Sequence, residues 1–339
     1  MSSDPFDGTS IGGPAGRPRA RALPVDRPGR SGIPQVVVVG AATRDLDPAD
    51  PRGWRAGGGV SYGALLLARV GLRVGAVVGL DAAGAAAGEP SMLRAAGVEV
   101  VPIPLRRGPV FENREGPSGR RQRCLERSDA LPPDALPPAW RDAPAFLFAP
   151  VAGELGPGWS AVPGDAALVA LGWQGLLRGL VPGRAPRRLV PRRGPLQARA
   201  DVTALSREDL PADAQRHPGE WLDRLLTRPG QAIAVTAGAA GGVLLWRSAP
   251  GRLQGRRWGA VAPRRVVDPT GAGDVFLAAL LAARLVLGSA PEAFPATLRF
   301  AATAASLSVE ADGLAGVPDL AAIRRRLGEV RRLGEVRRS

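Results

Sequence analysis

Short apolar runs alternating with helical stretches are what most narrow the folds open to this chain. Gln35 to Val39, Val74 to Val78, Phe146 to Ala149, Ala167 to Leu171 and Ala232 to Thr236 are runs of strand-forming side chains. Stretches of helical character follow or separate them: Ser61 to Val70, Glu220 to Leu226, Asp274 to Leu287 and Pro295 to Val309. Strands that read as continuous apolar runs are covered on both faces, and their alternation with helices predicts a mostly parallel sheet between helical layers. The length of 339 residues allows one large α/β domain or two modest ones. No apolar span reaches the ~18–20 uncharged residues that a membrane crossing needs. The longest, Val275 to Leu287, contains Arg284 and is read as a buried helix.

The chain contains no lysine, so all 45 basic residues are arginines, set against 31 acids for a net charge of +14. A Walker A loop, a protein-kinase active site and a Schiff-base enzyme each need a lysine and are excluded in their usual form. His217 is the only histidine and Cys124 the only cysteine, which removes nucleophilic triads, Cys/His zinc clusters and internal disulfides. The arginines are scattered and aromatics make up 4% of the chain, a pattern of coding bias rather than of a nucleic-acid surface. With no apolar segment after the initiating methionine, a cytoplasmic location is expected.

Residues 1–33 are rich in Gly, Pro, Ser and Arg without apolar periodicity and are expected to be a disordered leader. RRLGEV occurs twice, at 325–330 and 331–336, inside an Arg-rich segment, 321–339, expected to be a helical or frayed tail. Between Val98 and Arg127 the chain reads as short β-like pieces around a polar turn, which predicts a small sheet standing off the main domain at approximately 98–127.

The chemistry concentrates in Asp268-Pro-Thr-Gly-Ala-Gly-Asp274, which follows Val266-Val267 and opens into a helix beginning at Val275. Gly271, Ala272 and Gly273 are small enough for backbone N–H groups to converge at the positive end of that helix, an anion site made without lysine. Asp274 at its lip is placed to take the proton of a hydroxyl attacking a phosphoryl group. By spacing alone a plain helix cap with a tight glycine turn is an equal alternative.

The seven-residue string matches the C-terminal signature of the PfkB family of carbohydrate and nucleoside kinases, and the chain resembles that family over residues 34–320. The resemblance implies a ribokinase-like three-layer α/β/α domain with a mostly parallel central sheet, and makes the 98–127 segment a β lid. It implies an ATP-dependent kinase that uses Mg2+ and phosphorylates a hydroxyl of a sugar, polyol or nucleoside, with a homodimer as one possible assembly and neither nucleic acid nor membrane as partner. Asp274 would be the catalytic base, and Gly271, Ala272 and Gly273 the anion hole. Asp268 and Thr270 would help hold a monovalent cation such as K+. Asp45, five residues after Gly40, stands where the family holds acceptor hydroxyls, with a turn-capping role as the plainer alternative. Gly57 and Gly58, ahead of a helix ending at Gly71, resemble the N-terminal signature and would let the backbone approach the acceptor. Thr236, Gly238 and Gly241 resemble the loop that contacts ATP, although the same residues also suit an ordinary glycine turn.

Two departures stand out. Tyr62 occupies the family's acceptor-binding Asn position, trading an amide for a ring. The family's Asn-x-x-Glu appears as Ser206-Arg-Glu-Asp209, which keeps a carboxylate at Asp209, or alternatively Glu208, for the water shell of Mg2+ but loses the amide. The second reading is therefore a PfkB-fold protein that binds ligand or nucleotide with little or no turnover. A dinucleotide oxidoreductase is disfavoured because no G-x-G-x-x-G follows the first strand.

Overall fold

The computed structural model describes residues 32–114, 121–248 and 251–336. Residues 1–31, most of the expected leader, lie outside the described residues, as do residues 337–339 of the tail.

Each apolar run forms a strand of one nine-stranded sheet. Its spatial order is β15 (Leu253–Trp258), β14 (Gly242–Arg247), β13 (Ala232–Thr236), β12 (Val202–Ser206), β9 (Leu168–Gly172), β8 (Ala145–Phe148), β1 (Val36–Ala41), β4 (Val74–Leu80) and β5 (Val98–Pro104). All neighbours are parallel except β13–β14 and β14–β15, so the antiparallel pairings lie together at one edge. Val36 to Val39 in β1 are fully buried, alternate residues pointing into opposite cores, which is why the run reads as continuous.

One core lies under α1 (Gly59–Arg69), α3 (Glu89–Ala95), α7 (Ala272–Leu287), α8 (Phe294–Ser308) and α9 (Leu320–Val336). The short α2 (Ala82–Ala86) precedes α3. The opposite core is closed by α4 (Pro195–Arg199), α5 (Ala212–Arg216) and α6 (Pro218–Leu222) together with Trp140 and Trp159 from 3-10 turns. Trp159 is fully buried and donates its indole N–H to the Leu131 carbonyl at 2.8 Å, leaving no polar cost. Helices therefore cover both faces of the sheet, the three-layer α/β/α arrangement. No helix among the described residues is long and apolar enough to cross a membrane.

Several details differ from the sequence-based expectations. Val98–Pro104 is not part of the small sheet: it pairs along its length with β4 as the edge strand of the main one. The small sheet instead has the order β3 (Trp54–Gly57), β2 (Thr43–Leu46), β6 (Val110–Arg114), β7 (Arg121–Glu126), so half of it comes from the segment after β1. Backbone pairing decides this, and it joins residues more than sixty positions apart. A two-residue ladder, β10 (Arg178–Gly179) with β11 (Arg187–Arg188), stands beside it. The helix expected over Glu220–Leu226 breaks into α6 and a 3-10 turn, Asp223–Leu225. Helix α7 begins at Ala272 rather than Val275, with Gly271 as its left-handed cap at φ 77°. Arg284 is 3% exposed within α7, its guanidinium against the Phe294 ring, and burial lowers its pKa to about 10. In the tail, Ile323 is fully buried and Arg326 pairs with Glu310 at 2.9 Å, so the start of α9 is docked.

Candidate active site

A cleft of about 470 Å3 opens where β8, β9, β12 and β13 end, the edge of a parallel sheet at which ligands bind in open α/β folds. The small sheet covers it, contributing Thr43, Asp45, Phe111 and Gln122, and the start of α7 forms its floor.

Asp274 is the third residue of α7 and lines the cleft together with Gly271, Ala272 and Gly273. The first-turn amides of Gly273 and Asp274 have no acceptor within the helix, so their donors and the helix dipole are available to an anion. Enclosure by protein pushes the Asp274 carboxyl up to about 6; Arg178 opposes the shift, and Asp209 and Asp45 add to it. A carboxylate poised just below neutrality suits a general base. Gly59 makes room for it: a Cβ there would lie 2.6 Å from Asp274 Oδ1.

The residues expected on the acceptor side converge, but not all in the expected way. Asp45 lies on β2, directly across the strand pair from Arg55, and Gly58 lines the cleft at φ 93°. Gly57 stays out of the lining; its missing Cβ leaves room for Asp45 Oδ2, which would be 2.8 Å away. Tyr62 lines the cleft yet is 2% exposed, its ring lodged against Gly271. Burial raises the Tyr62 phenol, and the charges of Asp268, Asp45 and Asp274 raise it further, so it stays protonated.

On the opposite side Thr236 and Gly238 line the cleft, whereas Gly241 does not. Gly241, at φ 82°, packs under the Trp258 carbonyl, which a Cβ would strike at 2.0 Å, and this is a folding requirement. Glu208 and Asp209 both line the cleft in a short 3-10 turn after β12. Ser206 caps that turn with its hydroxyl, accepting from the Glu208 amide at 3.2 Å, while Asp209 Oδ2 accepts from the Ser206 amide at 3.1 Å. Ser206, expected at the position of the family's Asn, is thus spent on a reciprocal cap.

Arg178 is the residue that sequence reading missed. It is the sole basic side chain among the described residues lining the cleft, and it donates to Asp209 Oδ1 at 3.1 Å and to Gln122 Oε1 at 2.8 Å. Gln122 in turn donates to Asn113 Oδ1 at 2.9 Å, so one hydrogen-bonded chain runs from the small sheet through Arg178 to Asp209. No local pattern distinguishes this arginine from its many neighbours. Glu154 was equally silent: 1% exposed, it accepts the amides of Ala41, Val151 and Ala152 and pins the cleft wall at Pro150 and Val151.

Asp268 and Thr270 do not fit a monovalent cation. Thr270 donates its amide to Asp268 Oδ1 at 2.9 Å, and Gly313 donates to Oδ2 at 3.1 Å. The remaining approach to Oδ2 is taken by the Arg55 guanidinium at 3.4 Å, which also donates to Asp312. A second cation there would face a like charge. Among the described residues there is also no group of three or more His, Cys, Asp or Glu side chains able to hold a metal ion by themselves.

The cleft at the strand ends of this three-layer, mostly parallel domain, with a glycine-rich helix start beside a carboxylate, is set in a ribokinase-like fold. Residues 200–320, the segment carrying the Asp268–Asp274 loop, match the model of the pfkB family of carbohydrate kinases. The chain superposes on a pyrophosphate-dependent kinase in the ribokinase family, complexed with a pyrophosphate analog and myo-inositol, with a TM-score of 0.64 at 18% identity, covering 82% of this chain and 96% of that one. Aminoimidazole riboside kinase from Salmonella enterica, complexed with aminoimidazole riboside and an ATP analog, gives 0.63 at 20% identity over 86% and 99%. A fructokinase double mutant from Vibrio cholerae, in a form with fructose, ADP and potassium bound, gives 0.64 at 19% over 88% and 100%. No curated protein matches the chain. The ribokinase-like fold and the resemblance to the PfkB family are thereby established.

Proposed function

We propose that this protein is a kinase that transfers the γ-phosphoryl group of ATP to a hydroxyl of a sugar, polyol or nucleoside. The observation that carries this reading is Asp274, held at the first turn of α7 with its carboxyl pushed up to about 6 and facing a cleft whose other wall presents Asp45. Asp45 accepts hydrogen bonds from acceptor hydroxyls and orients one of them toward Asp274. Asp274 takes the proton of that hydroxyl as its oxygen attacks, and the amides at the start of α7 meet the charge that develops on the transferred group. Arg178 supplies the counter-charge to the donor phosphates that a lysine would give elsewhere. Glu208 and Asp209, which line the cleft beside Thr236 and Gly238, would hold the water shell of a magnesium ion, which when bound would neutralise donor phosphates. Closure of the lid excludes water and suppresses hydrolysis of the donor.

The second reading, a binding protein with little turnover, draws on the ion pair between Arg178 and Asp209, which occupies the two groups a donor needs. One experiment separates them. Product release is measured across sugars, polyols and nucleosides with ATP, and with pyrophosphate as a second donor. Acceptor-dependent ADP formation supports the ATP kinase. Acceptor-dependent phosphate formation from pyrophosphate alone replaces the donor, and binding without turnover on any pair supports the second reading.

A further inference from the structure

We propose that Arg55 is a built-in monovalent cation: from the lid strand β3 its guanidinium holds Asp268 and Asp312 together, setting the loop that leads into the anion hole without an added ion. The catalytic consequence rests on the kinase reading above; the structural claim does not.

Asp268 is 8% exposed and opens the loop that ends in Asp274. A carboxylate so enclosed needs hydrogen bonds and a counter-charge. The amides of Thr270 and Gly313 supply the first, and Arg55 Nη1, 3.4 Å from Oδ2, supplies the second. The same guanidinium donates to Asp312, at the start of the turn that carries Gly313, and its Nε lies 2.8 Å from Asp47 Oδ2. Both backbone segments around Asp268 are thus tied to one charge. Asp268 is held below the ordinary carboxylate range: burial works against this, and the bonds from Thr270 and Gly313 with the charge of Arg55 overcome it.

Arg55 is not a drifting surface arginine. Strand pairing sets it opposite Asp45, and its partners Asp268 and Asp312 are 213 and 257 positions away in the chain. It therefore also fastens the lid to the cleft floor. A small cation at Asp268 would have to displace the guanidinium or sit beside it, and its electrostatic work is already done.

The test uses the full-length protein in tetramethylammonium, sodium or potassium chloride at one ionic strength. Wild-type turnover is expected to agree within about twofold across the three salts, and the ligand-free melting temperature is expected to be the same. Arg55→Gln removes the charge at similar size. Its turnover should fall roughly tenfold or more and recover several-fold in potassium, while its ligand-free melting temperature rises in potassium relative to tetramethylammonium. Arg55→Lys, which keeps a cation, should stay indifferent to the salt. Wild type activated many-fold by potassium overturns the proposal, as does an Arg55→Gln protein whose melting and turnover ignore all three cations. Should Arg55→Gln fail to fold, the wild-type comparison decides alone. Absence of any wild-type turnover would remove the kinase reading and leave the ligand-free melting comparison to judge Arg55.

Discussion

The ring of Tyr62 is lodged against Gly271 so closely that a Cβ on the glycine would stand 2.4 Å from Tyr62 Cε1. Tyr62, expected from the sequence to stand at the acceptor side, is therefore also the support beneath the loop that opens α7. Gly273, two residues on, has nothing within 4 Å of the place a Cβ would take. The two glycines should separate cleanly. Gly271→Ala combines a left-handed backbone with overpacking and should cost about 2–4 kcal/mol, visible as a drop in melting temperature. Gly273→Val should leave stability within about 0.5 kcal/mol while reducing phosphoryl transfer, because its side chain enters the space an anion would use. Equal stability losses in the two variants would contradict this assignment.

Asp274→Asn should reduce turnover by about 10²–10⁴-fold while ligand binding persists. In wild type, kcat/KM should rise with pH and level off above the apparent pKa of about 6. The stability effect has the opposite sign. Because the folded pKa is raised from 3.8 to about 6, the unfolded chain is the more ionised state in that window, and Asp274 destabilises the fold progressively as pH rises through it. Asp274→Asn should accordingly be more stable than wild type at pH 7.5, by up to about 3 kcal/mol, and lose that advantage near pH 4. Melting curves at the two pH values check it.

Arg178→Ala should lower kcat/KM for the donor about 10–100-fold, the worth of hydrogen bonds to a charged group. It also leaves Asp209 without its 3.1 Å partner. Titrations of the donor and of the acceptor check the claim, and a defect confined to acceptor KM would move Arg178 out of the phosphate role.

Glu154→Gln keeps the shape of a side chain that receives three backbone amides but turns one oxygen into a donor. It should cost about 1–3 kcal/mol, measured by denaturant unfolding, together with a looser cleft wall at Pro150 and Val151. Unchanged stability would show that the buried carboxylate is replaceable there.

Much of the architecture was legible because it is local. Runs such as Val36 to Val39 have no polar residue to expose and go to a sheet covered on both faces, whatever their neighbours. The loop from Asp268 to Asp274 was legible because its chemistry is contiguous: small residues, a helix start and a carboxylate within seven positions. What only the tertiary structure decided lies in pairings between distant segments. Strand pairing sent Val98–Pro104 to the main sheet and recruited Thr43–Leu46 and Trp54–Gly57 to the small one. In a chain with 45 basic residues, all of them arginine, nothing in the local sequence distinguished Arg55 and Arg178 from the rest. Their importance comes from which carboxylates they meet, Asp268 and Asp209, and packing brings those partners together over separations of 213 and 31 residues. A charge takes its role from its surroundings, and those surroundings exist only once the sheet has closed around them.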